Sequence, residues 1–313
     1  MNEKADRAHG TESETQARIA ELKYSLHLMR QNPLVLAGLI LVVFFTAVAA
    51  VATLLVSNDE AFMFDFGQSY CWSNAVFSWT QLEATCPPGT NFILGTDGFG
   101  RDLLRMIILS IPLDLKIAFL IVAAASAFGV ALGAIAAWIG GKFDEAILRI
   151  TDVFFAFPGL VLALVFAALF GRTVQTLTLA VLLVWWPTYV RLTRGQVLVE
   201  KEKTYAEALK SIGVSPARIV LFHIIPNAIY PIIVQMTLDI GGVILTFSAL
   251  IFLGFSPSPA LPELGNLAAD GINHVFTAPW LIVFPGLTIL LIALAFNLMG
   301  DGLRDILDPR LRR

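Results

Sequence analysis

Charge is scarce in this chain, and cysteine and histidine are scarcer still. Only 14% of its 313 residues are Asp, Glu, Lys or Arg, against 57% hydrophobic residues and a mean hydropathy of +0.76. A soluble domain carries about 25% charged residues, so a water-soluble fold is excluded. The four histidines, His9, His27, His223 and His274, form no His-Glu-x-x-His pair, and the two cysteines no metal cluster. No phosphate loop is present either. The nearest approach, Gly140-Gly141-Lys142, is followed by Phe143 where Ser or Thr is required, and Ala136 stands where the first Gly belongs. Neither a metal nor a nucleotide is expected on this chain, and a nucleic-acid partner is not expected.

What is present is a series of uncharged runs near 33–56, 117–139, 153–171, 173–190, 228–255 and 280–300. Each is long enough, at about 1.5 Å per residue, to cross a hydrocarbon core of about 30 Å, so six transmembrane helices are expected. Asp239 interrupts the fifth run. A break there would leave two short pieces and a re-entrant loop, but six full spans is the reading adopted. With the N-terminus inside, seventeen of the 21 Lys and Arg residues fall in cytoplasmic segments; Arg101, Arg105, Lys116 and Arg172 do not. Both termini are therefore expected in the cytoplasm. About 30 polar residues precede the first run, which reads as a signal anchor. A polar tail leads into a short amphipathic helix near Leu22 to Met29.

Cys71 and Cys86 both fall in the long first external segment, 57–114. On the oxidising side they suggest a disulfide closing a short loop, worth roughly 3 kcal/mol; two unlinked thiols is the alternative. The same loop carries Phe62, Phe64, Phe66, Trp72 and Trp79, which favours packing on itself or on a partner.

Residues 203–227 form a polar island between two apolar stretches. Tyr205, Ala208, Leu209 and Ile212 recur at i, i+3, i+4 and i+7, an apolar stripe of a short helix, with Lys203, Glu207 and Lys210 on its other faces. Gly213 is placed to end that helix at positive φ, Ser215 to cap a second one and Pro216 to begin it. By periodicity alone this is a helix-turn-helix in the cytoplasmic interface, and a bland hairpin would fit as well.

The finer spacing resembles one family. Glu207-Ala208-Leu209, three residues, Gly213, then Ile225-Pro226 is similar to the EAA loop of ABC importer membrane subunits, and His223-Ile-Ile-Pro226-Asn227 resembles its peptide-permease branch. Leu94-Gly-Thr-Asp97-Gly-Phe-Gly100-Arg101-Asp102, Phe157-Pro158, Arg191 to Gln196 and the ending Asn297 to Arg310 resemble further segments of the same family. The chain is identified as similar to a dipeptide/oligopeptide/nickel-type permease, C-type subunit.

That resemblance implies an all-α integral membrane protein of the type I importer fold, multi-pass in the prokaryotic plasma membrane. It implies a cytoplasmic tail with the short helix (1–32), a first transmembrane helix (33–56), the external segment (57–114) and a five-helix transport domain (115–300). The EAA coupling loop lies at 197–227, and 301–313 is a cytoplasmic tail. The partners it implies are a second, homologous permease subunit, two cytoplasmic ATPases that use ATP and Mg, and an external solute-binding lipoprotein. The chain itself is then no enzyme. Tyr205, Glu207, Ala208, Leu209, Gly213 and Pro226 would couple it to the ATPase: Ala208 and Gly213 allow close approach and Glu207 can meet a basic group.

Other positions stay open. Asp239, near the bilayer middle, is either a lining of the translocation pathway or a structural partner of a neighbouring helix. The small residues Ala125, Gly129, Gly133 and Ala137 allow close helix approach within the chain or across a heterodimer. Glu263, Asp270 and His274 either face a docked binding protein or belong to a solvated loop. Ser110-Ile-Pro112-Leu-Asp114 stands where the family has a Gly-Ala-Arg-type stretch, Phe247 where a Glu is common and Leu264 where a Trp is. These departures bear on the solute, since such permeases also carry nickel chelates and oligosaccharides. An intramembrane enzyme would need paired catalytic groups at membrane depth, and a channel would leave the coupling loop without a purpose.

Overall fold

The computed structural model describes residues 32–56, 85–89, 92–98 and 100–307. The amphipathic helix expected at 22–29, the aromatic residues of the first external segment and Cys71 lie outside these. Ten α-helices carry the described residues, which contain no strand and one isolated antiparallel bridge, Thr96 to Asp102.

Helix α1, Pro33–Val56, carries no charge, and its two polar residues, Thr46 and Thr53, donate their hydroxyls to carbonyls one turn back. Helix α2, Leu103–Ile139, starts well before the apolar run at 117 because Asp102 caps it, accepting from the N–H groups of Leu104 and Arg105 at 2.9 and 3.4 Å. At 37 residues it is about 55 Å long, more than a bilayer core requires. The run expected to span at 153–171 is not one helix. Helix α3, Gly141–Phe155, is bent by 85° from α4, Gly159–Phe170. Pro158, which stands between them as the N-cap of α4, breaks the apolar run that its composition alone presents as continuous.

Helix α5, Val174–Lys201, begins at Thr173, whose side chain accepts from Thr176 N–H, and runs about three turns past its apolar part. The short helices α6, Thr204–Ser211, and α7, Pro216–Ile219, follow. Helix α8, Ile225–Leu250, passes through Asp239 unbroken, so the re-entrant alternative is not what the chain adopts. Helices α9, Leu264–Asp270, and α10, Trp280–Leu307, complete the order.

Among the described residues four stretches are long and apolar enough to cross a membrane, Pro33–Leu54, Leu103–Ile139, Pro216–Phe255 and Trp280–Ile306, and the bent α3–α4 pair makes five. Helix α5 is not among them, because Trp185, Trp186, Pro187 and Tyr189 dilute its aliphatic run and Arg191 follows. The main core joins α2, α8 and α10 through residues such as Ile121, Val122, Ile244, Phe247, Ile292 and Phe296. Phe247, which replaces a Glu of the family pattern, is 2% exposed in that core. Large apolar side chains such as Leu54, Leu169, Phe170 and Leu290 point outward, as they do on a surface that meets lipid or other spans.

The small-residue stripe on α2 packs inside the chain. A Cβ on Gly129 would lie 2.4 Å from Tyr189 Cβ, and one on Gly133 would lie 2.5 Å from the Val190 carbonyl oxygen. Any larger residue would push α5 away from α2, which resolves the stripe in favour of packing within one subunit.

Candidate functional site

The island of 203–227 folds as two short helices joined by a tight reversal. Helix α6 ends at a glycine in the left-handed region: Gly213 has φ 80°. Around it Val214 N–H donates to Leu209 O at 3.1 Å and Gly213 N–H to Lys210 O at 3.0 Å, the paired bonds of a Schellman stop. Leu209 and Val214 also pack together against Val197, Ile219 and Ile224, the apolar contact that accompanies such a stop. Pro216 opens α7 as expected, whereas the Ser215 side chain makes no cap bond.

A π-turn, Val220–Ile224, then leads into α8. Pro226 has no N–H to donate back, and Ile225 N–H reaches Val220 O instead, so the helix widens by one residue. Asn227 closes the same turn by donating from Nδ2 to His223 O at 2.7 Å.

The expected apolar stripe is used only in part by this chain. Ala206 is fully buried, Tyr205 and Leu209 are half-buried, and Glu207, Ala208 and Ile212 face outward, Ile212 at 76% exposure. Helix α6 thus lays one edge on its own chain and presents the other. Gly213 and Pro226 are exposed as well.

Two residues that the sequence did not single out hold α6 in place. Glu200, buried near the end of α5, accepts from Lys203 Nζ at 2.6 Å and from the Tyr205 hydroxyl at 2.8 Å. Trp138, at the end of α2, lies under both Lys201 and Lys210, whose Nζ atoms sit 5.4 and 5.1 Å from its ring centre. A lone Glu before a Lys-rich turn carries no pattern of its own, and Trp138 lies 72 positions from Lys210, so neither could be read from spacing. Burial and the Glu200 carboxylate push the Tyr205 hydroxyl up to about 12, and the Asn227 side chain faces the same hydroxyl.

Asp239 lies apart from this site, about 20 Å further along α8. Its Oδ1 accepts from Gln235 Nε2 at 2.9 Å, and Tyr189 and Trp185 of α5 face it. It thus meets polar groups of its own and of a neighbouring helix, the setting that the structural-partner reading requires.

Of the three residues expected on the outer side, Glu263 departs from expectation, while Asp270 and His274 are part-exposed. Glu263 is fully buried, neither solvated nor available to a partner. It caps α9, with Oε1 accepting from Ser248 Oγ at 2.6 Å and Oε2 from Asn266 N–H at 2.7 Å. Removal from water holds its carboxyl above the ordinary glutamate range. Asp114, one of the departures from the family pattern, is buried beside it and accepts from Leu264 N–H at 3.3 Å. Asp270 accepts from Gly98 N–H at 3.0 Å, and a His274 ring nitrogen lies 3.2 Å from Asp270 O. Cys86 is buried and disulfide-bonded.

Residues 129–313 match the family model described as binding-protein-dependent transport system inner membrane component. The chain is 37% identical over 284 residues, 91% of its length and 88% of the relative's, to the dipeptide transport system permease protein DppC of Alkalihalophilus pseudofirmus. It is 41% identical over 222 residues, 71% of its length and 75% of the relative's, to the protein of that name from Haemophilus influenzae. With the glutathione transport system permease protein GsiD of Pectobacterium atrosepticum it shares 35% identity over 284 residues, 91% and 89% of the two chains.

Proposed function

Because the chain belongs to the family of binding-protein-dependent transport system inner membrane components, we propose that it is a multi-pass permease subunit of an ABC importer that admits di- or oligopeptides across the plasma membrane. The observation that carries the coupling role is the two-sided helix α6. One edge is fixed to α2 and α5 through Trp138, Glu200 and Leu209, while Glu207, Ala208 and Ile212 are presented outward. A helix with one edge anchored in the spans and the other open transmits a push from a partner into those spans.

In this reading α1, α2, the α3–α4 pair, α5, α8 and α10 are the six crossings, and both termini are cytoplasmic. Cytoplasmic location of α6 agrees with the clustering of Arg191, Arg194, Lys201, Lys203, Lys210 and Arg218 around it. The partners are a second, homologous permease subunit, two ATPases and an external binding protein. ATP and Mg are bound by the ATPases, and this chain acts as a conduit and not as an enzyme. Asp239 would line the shared pathway.

The test is purification of this chain with its companion subunits, followed by reconstitution and addition of a peptide-loaded binding protein. ATP hydrolysis stimulated by the loaded protein and uptake of a labelled dipeptide are expected. A folded preparation that retains no ATPase would overturn the reading, and uptake of a nickel chelate or oligosaccharide in place of peptide would overturn the choice of solute.

A further inference from the structure

The cytoplasmic extension of α5 grips the segment that joins α2 to α4. Arg194 donates from Nε and Nη2 to Asp144 Oδ1 and Oδ2, both at 2.6 Å, a two-pronged pair with side chains 27% and 13% exposed. Arg191 pairs with Asp152, donates from Nε to Thr151 Oγ1 at 3.3 Å, and lays its guanidinium 4.3 Å from the centre of the Phe155 ring. Lys201 Nζ donates to the carbonyls of Ala137 and Trp138 at 3.1 and 2.8 Å. Arg191, Arg194 and Lys201 stand at i, i+3 and i+10, so one face of α5 makes all these contacts.

Helix α3, which receives two of the three, is otherwise held by a small apolar contact: the Phe154 ring meets Trp186 of α5 edge-on at 5.1 Å, and Ile147 packs on the same cluster. Of its 15 residues only Thr151 is buried, and both of its ends are joints. At one end Gly140 and Gly141 have φ 70° and 59° with nothing within 4 Å of a built Cβ, so backbone conformation and not crowding sets the requirement for glycine. At the other end is the 85° bend into α4. A helix between two joints that rests on one small apolar contact takes much of its orientation from its polar contacts. Two-pronged Arg–carboxylate pairs fix direction as well as distance, which a single-point contact does not.

We propose that α3 is a hinged strut through which coupling-helix movement reaches α4, with Asp144 and Arg194 as the positioning residues that tie it to α5. This rests on the importer reading given above. Helix α6 is pinned to the end of α5 through Glu200, so a displacement of α6 moves α5. The Asp144–Arg194 pair then carries that movement sideways into α3, and the bend delivers it to α4. The Arg191–Asp152 pair is more open to water, at 43% and 63% side-chain exposure, and has the smaller share.

The test uses the reconstituted complex with its binding protein, reading labelled dipeptide uptake and ATP hydrolysis in the same vesicles. Asp144→Asn should lower uptake per ATP about tenfold while basal hydrolysis stays within about twofold of wild type. The charge exchange Asp144→Arg with Arg194→Asp should restore at least about half of the lost ratio, which a generally damaged protein would not do. Should Asp144→Asn fail to assemble, the charge exchange decides alone. Wild-type uptake per ATP in Asp144→Asn, or an assembled exchange variant without recovery, would overturn the strut. Absence of binding-protein stimulation in the wild-type complex would instead overturn the importer reading, so the two failures are distinguishable.

Discussion

Gly265, in the first turn of α9, and Gly213, at the reversal after α6, are glycines for opposite reasons. A Cβ on Gly265 would lie 2.2 Å from the Ser248 carbonyl oxygen and 2.7 Å from its Cα, so backbone packs directly on backbone. Gly213 has nothing within 4 Å and needs glycine only because its φ is +80°. The surroundings follow suit. Near Gly265, Glu263 and Asn266 satisfy one another and the loop carbonyls of Ser258, Pro259 and Leu261, all inside one chain. Near Gly213, Glu207, Ala208 and Ile212 face outward. One region is completed by its own sequence and the other presents an open edge, the edge proposed to meet an ATPase, so damage to the first should register as stability and damage to the second as coupling.

The sharpest way to break that contrast is Gly265→Ala. The new methyl can only be relieved by moving the backbone of α8 away from α9, which separates Ser248 from Glu263 and costs about 3 kcal/mol. A large fall in the thermal unfolding midpoint of the detergent-solubilised protein is expected. An unchanged midpoint would mean the two helices do not meet as described. Gly213→Val should do the reverse. Holding a β-branched residue at positive φ costs about 1–2 kcal/mol, spent on the end of α6 alone because no neighbour is displaced. Membrane insertion and the unfolding midpoint should stay close to wild type while binding-protein-stimulated ATP hydrolysis is lost.

The two regions also differ in how far their sequence revealed them. Around α6 the information is local: a 3.6-residue stripe, a glycine stop and a proline start lie within fifteen residues, and Gly213 and Pro216 fall where the pattern places them. Even there the stripe misled in part, since periodicity marks an apolar face without saying what covers it, and Ile212 is left outside. Around Gly265 the information is distant. Nothing near Glu263 indicates that Ser248, 15 residues earlier, and Asp114, on another helix, enclose it, so its charge suggested an exposed loop. The bend at Pro158 was hidden for a third reason: hydropathy measures the length of an apolar run and not its direction. The pairing of Arg194 with Asp144 spans 50 residues and two helices, and no spacing rule connects them.

A smaller effect separates the regions by their response to pH. Burial raises the Glu263 carboxyl above its ordinary range in the folded protein. A raised folded value means the native state binds that proton more tightly than the unfolded chain does. Its contribution to stability is therefore present below the ordinary glutamate value and is lost as pH rises through the raised one. Glu263→Gln keeps the shape, accepts from Asn266 N–H through its oxygen and donates to Ser248 Oγ through its nitrogen. The stability difference between variant and wild type should shift toward the variant as pH is raised from acid to neutral, measured by thermal unfolding across that range. A difference independent of pH would show that Glu263 titrates in the folded protein as it does in the unfolded chain.

The smallest change, Tyr205→Phe, tests whether the inner region answers to coupling alone. It deletes the hydroxyl that bonds Glu200 at 2.8 Å but leaves Lys203 on the other carboxylate oxygen, so no buried charge is abandoned. The loss should be about 1 kcal/mol, felt as looser attachment of α6 to α5. Because the hydroxyl is pushed up to about 12, it remains a donor through neutral and mildly alkaline conditions, and its removal should have the same effect at pH 7 as at pH 9. Uptake per ATP is expected to fall about two- to fivefold, the equivalent of that energy, while the unfolding midpoint stays unchanged. The opposite outcome, a lower midpoint with full coupling, would place Tyr205 in the same structural class as Gly265 and move the receptive surface of the chain to the exposed edge of Glu207, Ala208 and Ile212 alone.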